Sequence, residues 1–151
     1  MGLNAPSAPV DPVDWESLDE LIAALPSPPP GRVIAIAHSA GHRTIRAWAG
    51  GARLDALVLL DAAYGPLPEV QAWLADDSRR RLIDVSELTR PWASELHATL
   101  PGTVEADDFD GDHAGDRIVH VKSNVGHAEL VTEGIAIPRT LRWLTAGRTS
   151  D

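Results

Sequence analysis

Apolar positions along this chain follow two rhythms. Residues 33–37 (Val-Ile-Ala-Ile-Ala) are a continuous apolar run, and Leu54–Leu60 is another, broken only by Asp55. Runs of this length suit strands covered on both faces, as in parallel sheets. Elsewhere the spacing is helical. Trp15, Leu18, Leu21, Ile22 and Leu25 fall on one face and predict a helix over about 14–25. Pro26, Pro28, Pro29 and Pro30 end it, since proline cannot continue a helix, and Gly31 closes the linker. After 33–37 a His38-Ser39-Ala40-Gly41 turn leads into a helix reaching about Ala49, with Gly50-Gly51 as its stop. Leu67, Val70, Trp73 and Leu74 predict a helix over 67–75. A weaker strand follows over Arg81–Ser86, then a helix over about 91–100 that opens on Pro91, a favoured first position. An acidic loop spans 105–116, a last strand 117–123, and a closing helix about 138–144. Strands alternating with helices predict an α/β fold, a small parallel sheet of about four strands flanked by helices. Residues 1–13 read as a flexible Pro/Ala-rich arm, 14–147 as one domain and 148–151 as a tail. There is no internal repeat.

Composition narrows the class. With 151 residues, a single domain buries about 70% of its unfolded surface, enough for a real core. The net charge of −9 argues against nucleic acid and anionic membrane as main partners. Lys122 is the one lysine among 13 basic residues. The absence of cysteine removes disulfides, thiolate metal sites and thiol nucleophiles, and suits a cytoplasmic setting. No apolar run approaches the ~18 residues of a membrane span, and the N-terminus lacks the basic flank and apolar stretch of a signal peptide.

The candidate chemistry lies in Ala37-His38-Ser39-Ala40-Gly41. A strand that turns sharply into a helix through small residues leaves a serine oxygen exposed above the sheet edge. It also aims the N–H of the next residue, here Ala40, at a developing oxyanion. The following helix adds the positive end of its dipole. In these residues the chain resembles the α/β-hydrolase superfamily, whose elbow reads Gly-x-Ser-x-Gly; here alanine replaces the first glycine. The resemblance implies a Ser-Asp-His order. Asp61 ends the strand directly after the elbow helix, as the acid does in pancreatic-type lipases. His127 follows the last strand in Ser123-Asn124-Val125-Gly126-His127, where the superfamily keeps its base. Asp84, on the following strand, is the competing acid. The expected reaction is hydrolysis of an ester, thioester or amide through an acyl-enzyme on Ser39, with no cofactor and no metal. His38 and His42 are expected to flank the bound acyl substrate.

The resemblance covers roughly residues 14–145, the second half of the superfamily fold. The earlier strands, whose loop supplies the second oxyanion donor, have no counterpart. Strand 33–37 is therefore expected to offer an unpaired apolar edge, and self-association through it is the expected outcome. The rival reading is a non-catalytic remnant, a binding module, or a fragment of a longer hydrolase.

Three further patterns are weaker. His38 and His42 have a helical metal-ligand spacing, but His38 precedes the helix and lacks a third ligand. Asp108, Asp110 and Asp112 open like an EF-hand loop, yet His113 and Val119 stand where glycine and glutamate are needed. Trp15, Trp48, Trp73, Trp92 and Trp143 are expected in helix–sheet packing rather than on a carbohydrate platform. Glu129, two residues past His127, is expected to face solvent.

Overall fold

The structure is a computed structural model that describes residues 17–27 and 30–146; the N-terminal arm, Trp15 and the tail lie outside the described residues. Five strands form one sheet in the order β1-β2-β3-β5-β4, and every neighbouring pair is parallel. The strands are β1 (Val33–His38), β2 (Leu54–Leu60), β3 (Arg81–Ser86), β4 (Thr103–Asp107) and β5 (Ile118–Lys122). Helix α1 (Leu18–Ala23) precedes β1; α2 (His42–Trp48), α3 (Pro68–Asp76) and α4 (Arg90–Ala98) connect β1 to β2, β2 to β3 and β3 to β4; α5 (Glu129–Thr132) and α6 (Ala136–Thr145) follow β5. The predicted α/β architecture is therefore present. The four expected strands form, and β4 joins them at the sheet edge. β4 takes its last three residues from the segment expected to be acidic loop. Its Glu105 and Asp107 alternate with buried Ala106, the mark of a half-covered edge strand. Helix α5 is a second element that the apolar spacing did not indicate.

Alternation along β2 divides the core in two. Leu57 and Leu59 face one side, with Ile45, Trp48, Trp73 and Leu96 from α2, α3 and α4. Ala56, Val58 and Leu60 face the other, with Leu130, Trp143 and Leu144 from α5 and α6. β3 looked weak because Arg81, Asp84 and Ser86 interrupt its apolar residues, yet it is the middle strand and all six of its residues are buried. Its polar side chains turn to partners inside the protein rather than to solvent, with Asp84 Oδ1 alone among them left unpaired within the described residues. The Arg81 guanidinium, for example, donates to the backbone carbonyls of His113, Asp116 and Trp143.

Parallel pairing brings the carboxyl ends of all strands to one edge. His38 stands opposite Leu60, Leu60 opposite Val85, and Ser86 opposite Lys122. The residues after β1 and β2, Ser39 and Asp61, are thus neighbours across the sheet. Trp92 departs from expectation: it is 42% exposed in the first turn of α4, whose buried residues are Ala93, Leu96 and His97. Trp48, Trp73 and Trp143 are buried as expected.

The two-faced core makes a testable demand on β2. Leu59→Ala, at a fully buried site, should lower the unfolding free energy by about 2–5 kcal/mol. Urea denaturation checks this; a loss under 1 kcal/mol would show that this face is not closely packed.

Candidate active site

Two strand ends carry backbone strain. Ser39 has φ +54 and Asp61 has φ +46, both in the left-handed region that non-glycine residues seldom enter. At Ser39 the chain leaves β1 through a 3₁₀ turn, Ser39–Gly41, and passes directly into α2. The turn brings Gly41 back beside Ala37: a Cβ placed on Gly41 would lie in van der Waals contact, 3.4 Å from the Cβ of Ala37. Ala40 is the middle residue of this turn, at the helix start where backbone N–H groups lack intrahelical partners.

Asp61 is fully buried, yet its carboxylate is saturated with donors. Oδ1 accepts from Glu87 N (2.7 Å), Thr89 N (3.1 Å) and Thr89 Oγ1 (3.1 Å). Oδ2 accepts from Leu88 N (3.2 Å) and from His127 Nδ1 (3.1 Å). Burial alone would raise its pKa. The bonds from Glu87, Thr89, His127 and Leu88 outweigh that and hold it below the ordinary 3.8. An ionised Asp61 requires Nδ1 of His127 to carry its proton, which leaves Nε2 as a free lone pair in the neutral ring.

His127 is braced from a second side. The His38 ring lies 4.5 Å from the His127 ring, and His38 Nε2–H donates to the His127 carbonyl at 2.9 Å. His42 Nδ1–H donates to the Ser39 carbonyl at 3.2 Å. These two histidines thus hold the backbone of the base and of the serine respectively, His38 from the end of β1 and His42 from the start of α2. The loop carrying His127 is tied down by Asp108, a third left-handed strand-end residue (φ +52). Its carboxylate accepts from Asn124 N, Asn124 Nδ2 and Ser123 Oγ, and the bond from Asn124 N is the main reason its pKa lies below the ordinary value. The apparent start of a cation loop is therefore a loop clamp at Asp108, and Asp112 caps Ala114 N in the same fashion. Glu129 is exposed, as expected, and its carboxylate fills the space beside Gly126, where a Cβ would come within 2.5 Å of Oε2.

Ser39, Asp61 and His127 thus share one sheet edge, and Asp61 and His127 are hydrogen-bonded. Among the described contacts the Ser39 hydroxyl makes no hydrogen bond to His127. The competing acid, Asp84, is engaged elsewhere. Its Oδ2 accepts from His97 Nε2 at 3.2 Å beneath α4, and its Oδ1 is buried without a partner among the described residues.

Asp84 belongs to a buried polar cluster that the sequence did not suggest. His97 and His120 stack at 4.5 Å with rings 2° from parallel. Ser86 Oγ lies 2.8 Å from His120 Nε2, and His120 Nδ1 lies 3.1 Å from Glu105 Oε1, which also meets the Lys122 ammonium through its other oxygen at 2.7 Å. Ser86, His120 and Glu105 are thus linked in the order serine, imidazole, carboxylate. Unlike the partly exposed Ser39, however, Ser86 is fully buried. Its place is structural: it directly precedes the 87–89 turn that clasps Asp61.

No family model, curated protein or solved structure matches this chain.

Burial holds the His120 pKa below the ordinary 6.5, and neighbouring His97 lowers it further, against the opposing pull of Asp84 and Glu105. The unfolded chain therefore binds a proton near pH 6.5 that the folded protein resists. Stability from this group is complete above 6.5 and is lost as pH falls through 6.5 toward the lower folded value. Urea midpoints measured between pH 8 and pH 5 should fall on the acid side, and His120→Gln should flatten the slope. A slope unchanged in that variant would assign the acid sensitivity to another histidine.

Proposed function

We propose that this chain is a serine hydrolase of the α/β-hydrolase type, cleaving an ester, thioester or amide through an acyl-enzyme. Ser39 attacks the carbonyl and its proton passes to His127 Nε2. The Ala40 N–H stabilises the oxyanion, and the imidazolium returns the proton to the leaving group. Water then repeats the sequence on the acyl-enzyme. Asp61 fixes the His127 tautomer and stabilises the imidazolium. The observation that carries the reading is the Asp61–His127 bond of 3.1 Å at the same sheet edge as a serine with φ +54 between strand and helix. Catalytic hydrogen bonds commonly tighten only in the substrate complex, so the reading does not require a Ser39–His127 bond in the free protein. The binding-module reading draws its support from the missing Ser39–His127 bond. We place the protein in the cytoplasm, the setting its cysteine-free composition suits. Among the described residues no helix is long and apolar enough to cross a membrane.

A fluorophosphonate probe separates the two readings, since it labels an activated serine and ignores a passive one. Wild-type protein should be labelled, and Ser39→Ala should lose both labelling and p-nitrophenyl ester turnover with unchanged circular dichroism. Labelling that survives in Ser39→Ala would place the nucleophile elsewhere; an unlabelled wild type would favour the binding module.

Self-association through β1 is the accompanying proposal. β1 ends the sheet, its outer side pairs with no strand among the described residues, and Ile36 on it is 38% exposed. An uncharged edge of this kind is a template for strand addition. A second copy docked there is a source for the second oxyanion donor. Analytical ultracentrifugation over a wide concentration range should show a reversible dimer that Ile36→Lys weakens. A strict monomer with full esterase activity would overturn this.

A further inference from the structure

Among the described residues the most exposed large apolar side chain is Leu88, at 53%, and Trp92, four residues later, is 42% exposed. Both belong to the segment that leaves β3 and clasps Asp61. The Trp92 ring lies 5.6 Å from that of Tyr64, which stands three residues past Asp61 in the β2–α3 connection. The Tyr64 ring lies 5.2 Å from His42, and His42 is hydrogen-bonded to the Ser39 carbonyl. A row of rings therefore starts in contact with the serine and ends on an open indole. Its members come from the loops after β1, β2 and β3, which parallel pairing delivers to one edge.

We propose that the row His42, Tyr64 and Trp92, with exposed Leu88 four residues before Trp92 in the chain, binds the acyl half of the substrate and selects neutral esters or thioesters with an alkyl or aryl acyl group. This rests on the hydrolase reading for its chemistry, though not for the binding itself. Ring faces offer an alkyl chain or a second ring broad contact at little cost in side-chain entropy, because each aromatic has only two rotatable bonds. Leu88 adds a hydrocarbon end with no polar atom, which favours a hydrocarbon over a sugar face stacked on the indole. The net charge of −9 works against anionic acyl groups approaching the site. Specificity resides in the row because its first ring is bonded to the serine backbone, and lengthening the acyl chain extends the contact along it from His42 toward Trp92.

Two measurements on the full chain test this. Wild-type protein is titrated with 2-octanone, an uncharged hydrocarbon carbonyl that cannot be hydrolysed, while the indole N–H resonances of its five tryptophans are followed. Trp92→Phe identifies the Trp92 signal, which should shift saturably while those of buried Trp48, Trp73 and Trp143 stay in place. Leu88→Asn should weaken the apparent affinity several-fold. In parallel, kcat/KM for p-nitrophenyl esters should rise from acetate to hexanoate by about fourfold per methylene, and Trp92→Ala should flatten that series. A Trp92 signal unmoved by 2-octanone, or moved equally by methyl glucoside, overturns the proposal. A saturable Trp92 shift in a protein that turns over no ester supports the row as a binding surface and rejects the hydrolase reading. Ester turnover independent of chain length, with no shift, rejects the row and leaves that reading standing.

Discussion

The carboxylate of Asp61 is the junction on which this sheet edge depends. Five hydrogen bonds reach it, three from consecutive backbone N–H groups at residues 87–89, one from the Thr89 hydroxyl and one from His127. A buried charge is tolerable only when paired and hydrogen-bonded, and here the donors depress its pKa despite burial. The same group therefore shapes the β3–α4 turn and orients an imidazole from the loop after β5. Its left-handed backbone is what turns the side chain back across the sheet edge to reach both.

The arrangement recurs. Ser39, Asp61 and Asp108 each follow a strand and each has positive φ. The two aspartates use the conformation to hold the turn of the neighbouring strand, Asp61 that of β3 and Asp108 that of β5. Aspartate enters the left-handed region more readily than most residues because its short side chain bonds locally. Serine has less of that compensation, so the strain at Ser39 calls for a reason. In the proposed function the reason is exposure of the hydroxyl at the head of α2.

Beneath the edge, the Asp84–His97 and Ser86–His120–Glu105 contacts show how easily residue type misleads. They combine serine, histidine and carboxylate at hydrogen-bond distances, yet Ser86, Asp84 and His120 are fully buried. Accessibility, not composition, separates them from Ser39 and His127. Their effect on the site passes through the backbone: Ser86 anchors the residue from which the Asp61-binding turn begins.

Apolar periodicity in the sequence was enough to determine the α/β class and the positions of β1, β2 and the final strand, while the candidacy of Ser39, Asp61 and His127 came from the resemblance of the elbow and of the Ser-Asp-His order to the α/β-hydrolase superfamily. Those features are local: a continuous apolar run means a strand covered on both faces, and a residue just past it must lie at the carboxyl edge. What lies between distant segments was decided only by the tertiary structure. β4 stayed hidden because an edge strand with one wet face carries half the apolar signal. β3 looked marginal because the partners of Arg81, Asp84 and Ser86 come from 13 to 62 residues away, and such pairing cannot be read along a chain. The choice of Asp61 over Asp84 as the partner of His127 was likewise settled by the direction each side chain takes from its strand. The pleat sends Asp84 into the core beneath α4, whereas the left-handed bend after β2 sends Asp61 across the edge, where the N–H groups of 87–89 and the ring of His127 converge on it.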